Sequence, residues 1–189
     1  MSHRVIAGTA KGRRLKFVPG NTTRPVTDRA KEALFSIIGY DILDTRLLDL
    51  FAGTGSIGIE ALSRGAESVL FIDKERQAIQ TIHENLKITG FTENALVRQT
   101  DALRLLTQNP PEPFHYIYIA PPQYLGLWKT SLQLVDQNIH WLTDNGVVIV
   151  QIDPKEYEEI ELNELTPYDQ RKYGRTLLVF YELTGAEDF

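Results

Sequence analysis

Apolar residues along the chain fall into two alternating patterns. Short continuous runs, Leu47–Phe51, Ser68–Ile72, Ala95–Arg98, Phe114–Ile119 and Val147–Ile152, read as strands buried on both faces. Between them, Ile57–Arg64, Arg76–Thr89, the segment opened by Asp101-Ala102 and ending near Leu106, and Trp128–Ile139 carry apolar positions at helical spacing. Gly90 closes the second of these helices, and Asn145-Gly146 predicts a turn before the last strand. Repeated strand-helix units imply a parallel, doubly wound sheet, with ligand sites at the carboxyl ends of its strands.

The two ends depart from this rhythm. Arg4–Ala7 and Arg14–Phe17 flank a Gly8 to Gly12 turn and predict a small β-hairpin. Thr27 before Asp28 predicts a helix N-cap, and Ala30, Leu34, Ile37 and Ile38 supply that helix with an apolar face. At the other end, Glu159–Leu165 and Thr176–Leu183 read as strands joined by residues 168–175, too short a link for a crossover helix, so they should run antiparallel. The division expected is a basic hairpin and helix over residues 1–45, packed on a core domain over 46–189.

Composition narrows the classes. The 189 residues, 42% hydrophobic and 24% charged, suit one well-buried soluble domain. With no cysteine, disulfides and thiolate chemistry are excluded. The four histidines, His3, His83, His115 and His140, lack metal-ligand spacing. No apolar run approaches membrane-spanning length and Met-Ser-His-Arg-Val lacks a signal h-region, so the cytoplasm is the expected compartment. Charge is uneven: residues 1–32 carry eight Lys and Arg against two acids, whereas the remainder is net acidic. Lys11, Arg13, Arg14 and Lys16 at the hairpin tip therefore suggest a face for a polyanion, against the plainer reading of a solvated turn. The acidic group Asp153, Glu156, Glu158, Glu159, Glu161 and Glu164 reads most simply as a solvated edge.

The chemistry centres on Leu47–Gly58. Here a buried strand runs into Phe51-Ala52-Gly53-Thr54-Gly55 and then opens a helix, with Gly58 allowing that helix close to the sheet. Glycines 53, 55 and 58 also satisfy the dinucleotide spacing G-x-G-x-x-G, a weak signal alone. Two carboxylates tilt the choice. Asp49 near the strand end would repel a pyrophosphate but attract an ammonium group, while Asp73, closing the next strand, is placed for ribose hydroxyls. An amine at one end and a ribose at the other describe S-adenosylmethionine. Arg24-Pro25, just before the helix opened by Thr27, suits the carboxylate of such a ligand, or simply caps a surface loop.

Strand-end Asp49, the F-A-G-T-G turn, Asp73, Asp101 and Pro121-Pro122 follow one another as in class I S-adenosylmethionine-dependent methyltransferases. With Arg4-Val5-Ile6-Ala7-Gly8, the run Arg24-Pro25-Val26-Thr27-Asp28-Arg29-Ala30-Lys31-Glu32-Ala33-Leu34-Phe35 and Tyr173-Gly174, the chain resembles the RsmD family from Arg4 to about Leu183. These bacterial enzymes methylate the exocyclic N2 of a guanine in 16S ribosomal RNA. The resemblance implies a Rossmann-like α/β fold with a seven-stranded, mostly parallel sheet and helices on both faces. It implies that Asp49 and the backbone of Phe51, Ala52, Gly53 and Gly55 hold the methionine moiety, and Asp73 with Lys74 the ribose. Asp101 and Ala102 would meet the adenine edge, although Asp101 equally suits a helix N-cap; Arg24 and Thr27 would lie over the methionine carboxylate. Implied partners are 16S ribosomal RNA within a small-subunit assembly intermediate, no metal and no membrane. Nothing in the sequence forces a dimer, and a monomer is expected.

The departure lies in the catalytic loop. The family pattern is Asp or Asn, Pro, Pro, then Phe or Tyr; here it is Ala120, Pro121, Pro122, Gln123, with Tyr124 one place late. Ala120 keeps a carbonyl but offers no side-chain acceptor for the target amino group. Two readings follow: a rearranged active loop in which Gln123 and Tyr124 compensate, or an RNA-binding assembly factor without turnover. A small-molecule methyltransferase and a nicotinamide dehydrogenase rank behind them.

Overall fold

The computed structural model describes residues 3–20 and 27–185. Helices and strands follow in the order α1 (Asp28–Ile38), β1 (Arg46–Asp49), α2 (Ser56–Ser63), β2 (Ser68–Asp73), α3 (Arg76–Thr89), β3 (Ala95–Gln99), α4 (Ala102–Leu106), β4 (Phe114–Ile119), α5 (Leu127–Gln137), β5 (Leu142–Ile152), β6 (Leu165–Tyr173) and β7 (Thr176–Leu183). The strands form a single seven-stranded sheet in the order β3-β2-β1-β4-β5-β7-β6. β1 to β5 pair in parallel, and β7 runs antiparallel to both β5 and β6. Strand order reverses between β1 and β4, the position at which doubly wound sheets open a crevice.

Alternate residues of each strand enter opposite layers. Leu47, Val69, Phe71, Tyr116 and Tyr118 pack with α1, α2 and α3, whereas Leu48, Leu70, Ile72, Ile117 and Ile119 pack with α4 and α5. Trp128 is buried in the second layer, beside Leu132 and Val135. Gly58 holds α2 against the sheet: a Cβ there would lie 2.3 Å from Phe71 Cε1. Among the described residues no helix is long and apolar enough to cross a membrane, and no cluster of His, Cys, Asp and Glu suits a metal.

Several boundaries differ from those read in the sequence. The N-terminal hairpin closes through a single Arg4–Arg14 bridge instead of two strands. Four of its donors turn instead to side chains of α2 and α3: the Ile6 and Ala7 N–H groups donate to Glu60, Ala10 N–H to Ser63 Oγ and Lys16 N–H to Asn85 Oδ1. On α1, Thr27 does cap the helix, accepting from Ala30 N–H at 3.2 Å. Phe35 and Lys31 are buried there, however, and Ile37 is exposed. Lys31 Nζ reaches the Glu60 carboxylate and donates to the Arg4 carbonyl, which leads the hairpin over α2.

β5 begins at Leu142, and Asn145-Gly146, expected to turn before the strand, lie within it, in an irregularity between the Phe114–Leu142 and Tyr116–Val147 pairs. Residues 159–164 are not a strand. The buried Asp136 carboxylate takes the N–H groups of Asn163, Glu164 and Leu165, removing them from any ladder. β6 instead spans Leu165–Tyr173, with Gly174-Arg175 as the turn into β7. As an edge strand it is polar on both faces, so no apolar run announces it.

Candidate functional site

β1 ends in Asp49, and the chain then makes a tight turn bound to both neighbouring strands. Leu50 N–H donates to the Tyr118 carbonyl and Ala52 N–H to the Ile72 carbonyl, so the turn sits at the carboxyl ends of β4 and β2. Gly53 and Gly55 have φ of +55° and +78°, conformations that glycine adopts without strain. A side chain at 53 would meet nothing within 4 Å, so the backbone there faces open space.

Asp73 closes β2 and reaches back to this turn. Its Oδ2 accepts the Gly53 N–H at 2.9 Å and its Oδ1 the Glu75 N–H at 2.9 Å. Each oxygen keeps a further lone pair, and the carboxylate is only half-buried, so it can still accept hydroxyl donors. Asp49 is 1% exposed. Burial pushes its carboxyl up to about 7, opposed by the Gly58 N–H and assisted by the nearby charge of Asp73. Among the described residues no Lys, Arg or His makes an ion pair with it. A buried carboxylate without a cation, beside bare backbone and a second carboxylate, suits a ligand with an ammonium group and hydroxyls and disfavours a pyrophosphate.

Behind the turn stand residues that sequence pattern does not reveal. His3 Nε2 lies 3.0 Å from Thr54 Oγ1, and Asn85 Nδ2 donates to the Thr54 carbonyl at 2.9 Å. The His3 ring stacks on Phe17, and burial with nearby Lys31 pushes its pKa down to about 4. An isolated His and an Asn on a helix carry no spacing signal; only the docking of the hairpin brings them here.

Other expected positions are distributed around this centre. Phe51 and Ala52 lie within the turn, Lys74 is exposed just after β2, and Asp101 caps α4 by accepting the Arg104 N–H at 2.9 Å, with Ala102 buried behind it. Arg24 lies outside the described residues. Ala120, Pro121, Pro122, Gln123 and Tyr124 leave the carboxyl end of β4, beside β1, with Gln123 and Tyr124 exposed. Trp128, on the apolar face of the helix after this loop, belongs to the core. Lys11, Arg13 and Arg14 are exposed on the hairpin, while Lys16 pairs with Glu84 at 2.8 Å. The supposed acidic edge is not uniformly solvated: Asp153 is buried and Glu156 accepts the Tyr124 N–H. Two cavities, of about 340 and 320 Å³, lie at the amino ends of the strands, away from this crevice.

The model of a family described as Conserved hypothetical protein 95 matches residues 3–182. YlbH of Bacillus subtilis is 40% identical over 188 residues, covering 96% of this chain and all of that protein. The chain is a member of the RsmD family. Ribosomal RNA small subunit methyltransferase D of Escherichia coli K12 is 35% identical over 148 residues, covering 78% of this chain and 73% of that one. The solved structure of yhhF from Escherichia coli superposes with a TM-score of 0.85 at 30% identity, covering 97% and 98% of the two chains. An RNA methyltransferase from Salinibacter ruber, solved with S-adenosyl-L-homocysteine, shares the fold at a TM-score of 0.66 and 12% identity, over 87% and 97% of the chains. The β1 turn, Asp73 and the β4 loop lie at one end of the sheet.

Proposed function

We propose that this protein transfers a methyl group from S-adenosylmethionine to the exocyclic N2 of a guanine in small-subunit ribosomal RNA, acting as a cytoplasmic monomer on an assembly intermediate. The observation that carries the reading is Asp49, a buried carboxylate with no cationic partner among the described residues, opening onto a glycine turn fixed by Asp73. Asp49 would hold the ammonium group and Asp73 the ribose hydroxyls. The Phe51–Gly55 backbone lies against the ligand, with Asp101 and Ala102 towards the base and Thr27, Arg24 and Lys74 at the rim. Bound there, S-adenosylmethionine supplies an electrophilic methyl on a sulfonium, so neither metal nor covalent enzyme intermediate is needed.

The guanine amino nitrogen is a poor nucleophile because its lone pair is delocalised into the ring. The protein contributes alignment and exclusion of water. The Ala120 carbonyl accepts one amino N–H, turning the nitrogen towards the cofactor, and Pro121-Pro122 keeps that carbonyl rigid. The exposed Tyr124 ring offers the face on which an unstacked base rests. Lys11, Arg13 and Arg14 hold phosphates at the hairpin. These residues would orient the particle.

One observation favours a second reading. Position 120 carries no side-chain acceptor, and losing such a transition-state hydrogen bond typically costs about 2.7 to 4 kcal/mol. The chain would then be an RNA-binding assembly factor that holds the cofactor without turnover. Labelled-methyl transfer to immature 30S particles separates the two, using the native chain and Ala120→Asp, with the product mapped by mass. Transfer by the native chain to guanine N2 supports the enzyme; transfer only by Ala120→Asp supports the assembly factor.

A further inference from the structure

Tyr124 is one of two non-glycine residues with positive φ among those described, at +62°. Such a conformation is uncommon for a bulky residue and persists only where neighbours enforce it. The neighbours are visible. Glu156 Oε2 accepts the Tyr124 N–H at 2.8 Å, which fixes the backbone end of the residue. Interaction with the Asp153 carboxylate pushes the Tyr124 hydroxyl up, while Asp153's own carboxyl is held below the usual carboxylate range, chiefly by the Lys155 N–H. Asp153 is buried, and Arg175 Nε stands 3.8 Å from its Oδ2.

These groups come from three separate places: the β4 loop, the chain leaving β5, and the β6–β7 turn. With its backbone so anchored, Tyr124 remains 60% exposed. Glu156 also keeps one carboxylate oxygen, Oε1, buried without a hydrogen-bond partner. The anchoring thus goes to a solvent-facing ring at the rim of the crevice, where it adds little to the core.

We infer that Asp153, Glu156 and Arg175 are positioning residues that clamp Tyr124, presenting its ring to the target base from one residue later than the family's aromatic. The inference rests on the proposed base-directed reading of the crevice. In the family pattern the ring follows Pro-Pro directly; here Gln123 intervenes, and the left-handed backbone at Tyr124 redirects the ring after the added step. Glu156 stabilises that backbone, while Asp153, oriented by Arg175, steers the hydroxyl.

Kinetics with immature 30S particles test the clamp, using Glu156→Ala, Glu156→Gln and Tyr124→Ala beside the native chain. Glu156→Ala should lower kcat at least tenfold and leave S-adenosylhomocysteine affinity unchanged in calorimetry. Glu156→Gln should recover most of the loss, because its amide oxygen still accepts the Tyr124 N–H. Tyr124→Ala should be no less impaired than Glu156→Ala. Independently of turnover, the ring signal of Tyr124 in ¹³C-tyrosine-labelled protein, assigned with Tyr124→Phe, should titrate above the ordinary value of 10 and move down in Asp153→Asn. Unchanged kcat in Glu156→Ala, or a Tyr124 signal indifferent to Asp153→Asn, overturns the clamp. A native chain that moves no methyl group overturns the reading beneath it, and the tyrosine titration still decides whether the clamp exists.

Discussion

The Asp73 carboxylate accepts the Gly53 N–H at 2.9 Å, so the last residue of β2 fixes the turn that follows β1. One side chain thereby shapes the cradle and forms part of its lining. Asp73→Ala removes the acceptor for Gly53 and for Glu75 N–H, and each orphaned donor that stays buried costs about 1 to 3 kcal/mol. S-adenosylhomocysteine affinity should fall by at least tenfold in calorimetry, with a lowered urea midpoint. Asp73→Asn, which keeps one acceptor, should lose affinity with less effect on the midpoint.

Asp49 predicts a particular dependence of stability on pH. Its carboxyl titrates near 7 when folded and near 3.8 when unfolded, so the folded state binds more protons between these values. Stability therefore falls as pH rises through that window, by up to about 4 kcal/mol for a shift of this size. Asp49→Asn removes the effect. In urea unfolding without ligand, the variant should exceed the native chain in stability at pH 8 and approach it near pH 4. His3, with a depressed pKa, contributes with the opposite sign between about 4 and 6.5, but it is common to both chains and cancels.

Gly58→Ala places a methyl 2.3 Å from Phe71 Cε1 and 2.7 Å from Val69 Cγ1, with a strand on one side and α2 on the other. Overpacking of this kind costs about 1 to 3 kcal/mol. Thermal unfolding should show that loss, together with weaker cofactor binding as α2 and the turn before it shift outward.

Glu60, at 0% exposure, receives the N–H groups of Ile6 and Ala7 and pairs with Lys31 Nζ at 3.4 Å. Removing one partner of a buried ion pair typically costs about 3 to 5 kcal/mol. Glu60→Ala should lose stability on that scale and expose the hairpin to proteolysis between residues 3 and 20. Lys31→Met with Glu60→Gln should restore part of the stability, since the buried Lys31 ammonium is then no longer left without its carboxylate.

Lys11, Arg13 and Arg14 are exposed, and none forms an ion pair among the described residues. If they hold phosphates, changing all three to Gln should weaken binding to immature 30S particles and flatten the salt dependence, by a slope of about 0.7 to 0.9 for each phosphate no longer neutralised. Affinity for S-adenosylhomocysteine should not move. Equal salt slopes for the two chains would place the RNA face elsewhere.

The parallel half of the fold is legible in the sequence because its information is local. Phe114–Ile119 and Arg76–Thr89 announce themselves by an unbroken apolar run and by helical periodicity closed with Gly90, and the structure keeps both boundaries. β6 lies later in the chain than pattern predicts, because a polar edge strand has no apolar signature and because Asp136, far away in sequence, claims the N–H groups before it. The same difference divides the site. Asp49, Gly53 and Asp73 are readable from strand ends and a glycine turn. Glu156, Asp153 and Arg175 around Tyr124, and His3 beside Thr54, come together only when β5, the β6–β7 turn and the hairpin are packed. Glu60 is hidden likewise: a glutamate within a short helix gives no sign that it will bind two distant backbone amides and a lysine.

The central claim is that Asp49 holds the ammonium end of a sulfonium nucleoside at the turn after β1. Calorimetric titration of S-adenosylmethionine at pH 8, into the native chain and into Asp49→Asn, tests it most directly. Saturable uptake at one site by the native chain, weakened at least tenfold in a folded Asp49→Asn, is the expected result. No uptake by the native chain, or equal affinity in the two, would contradict it.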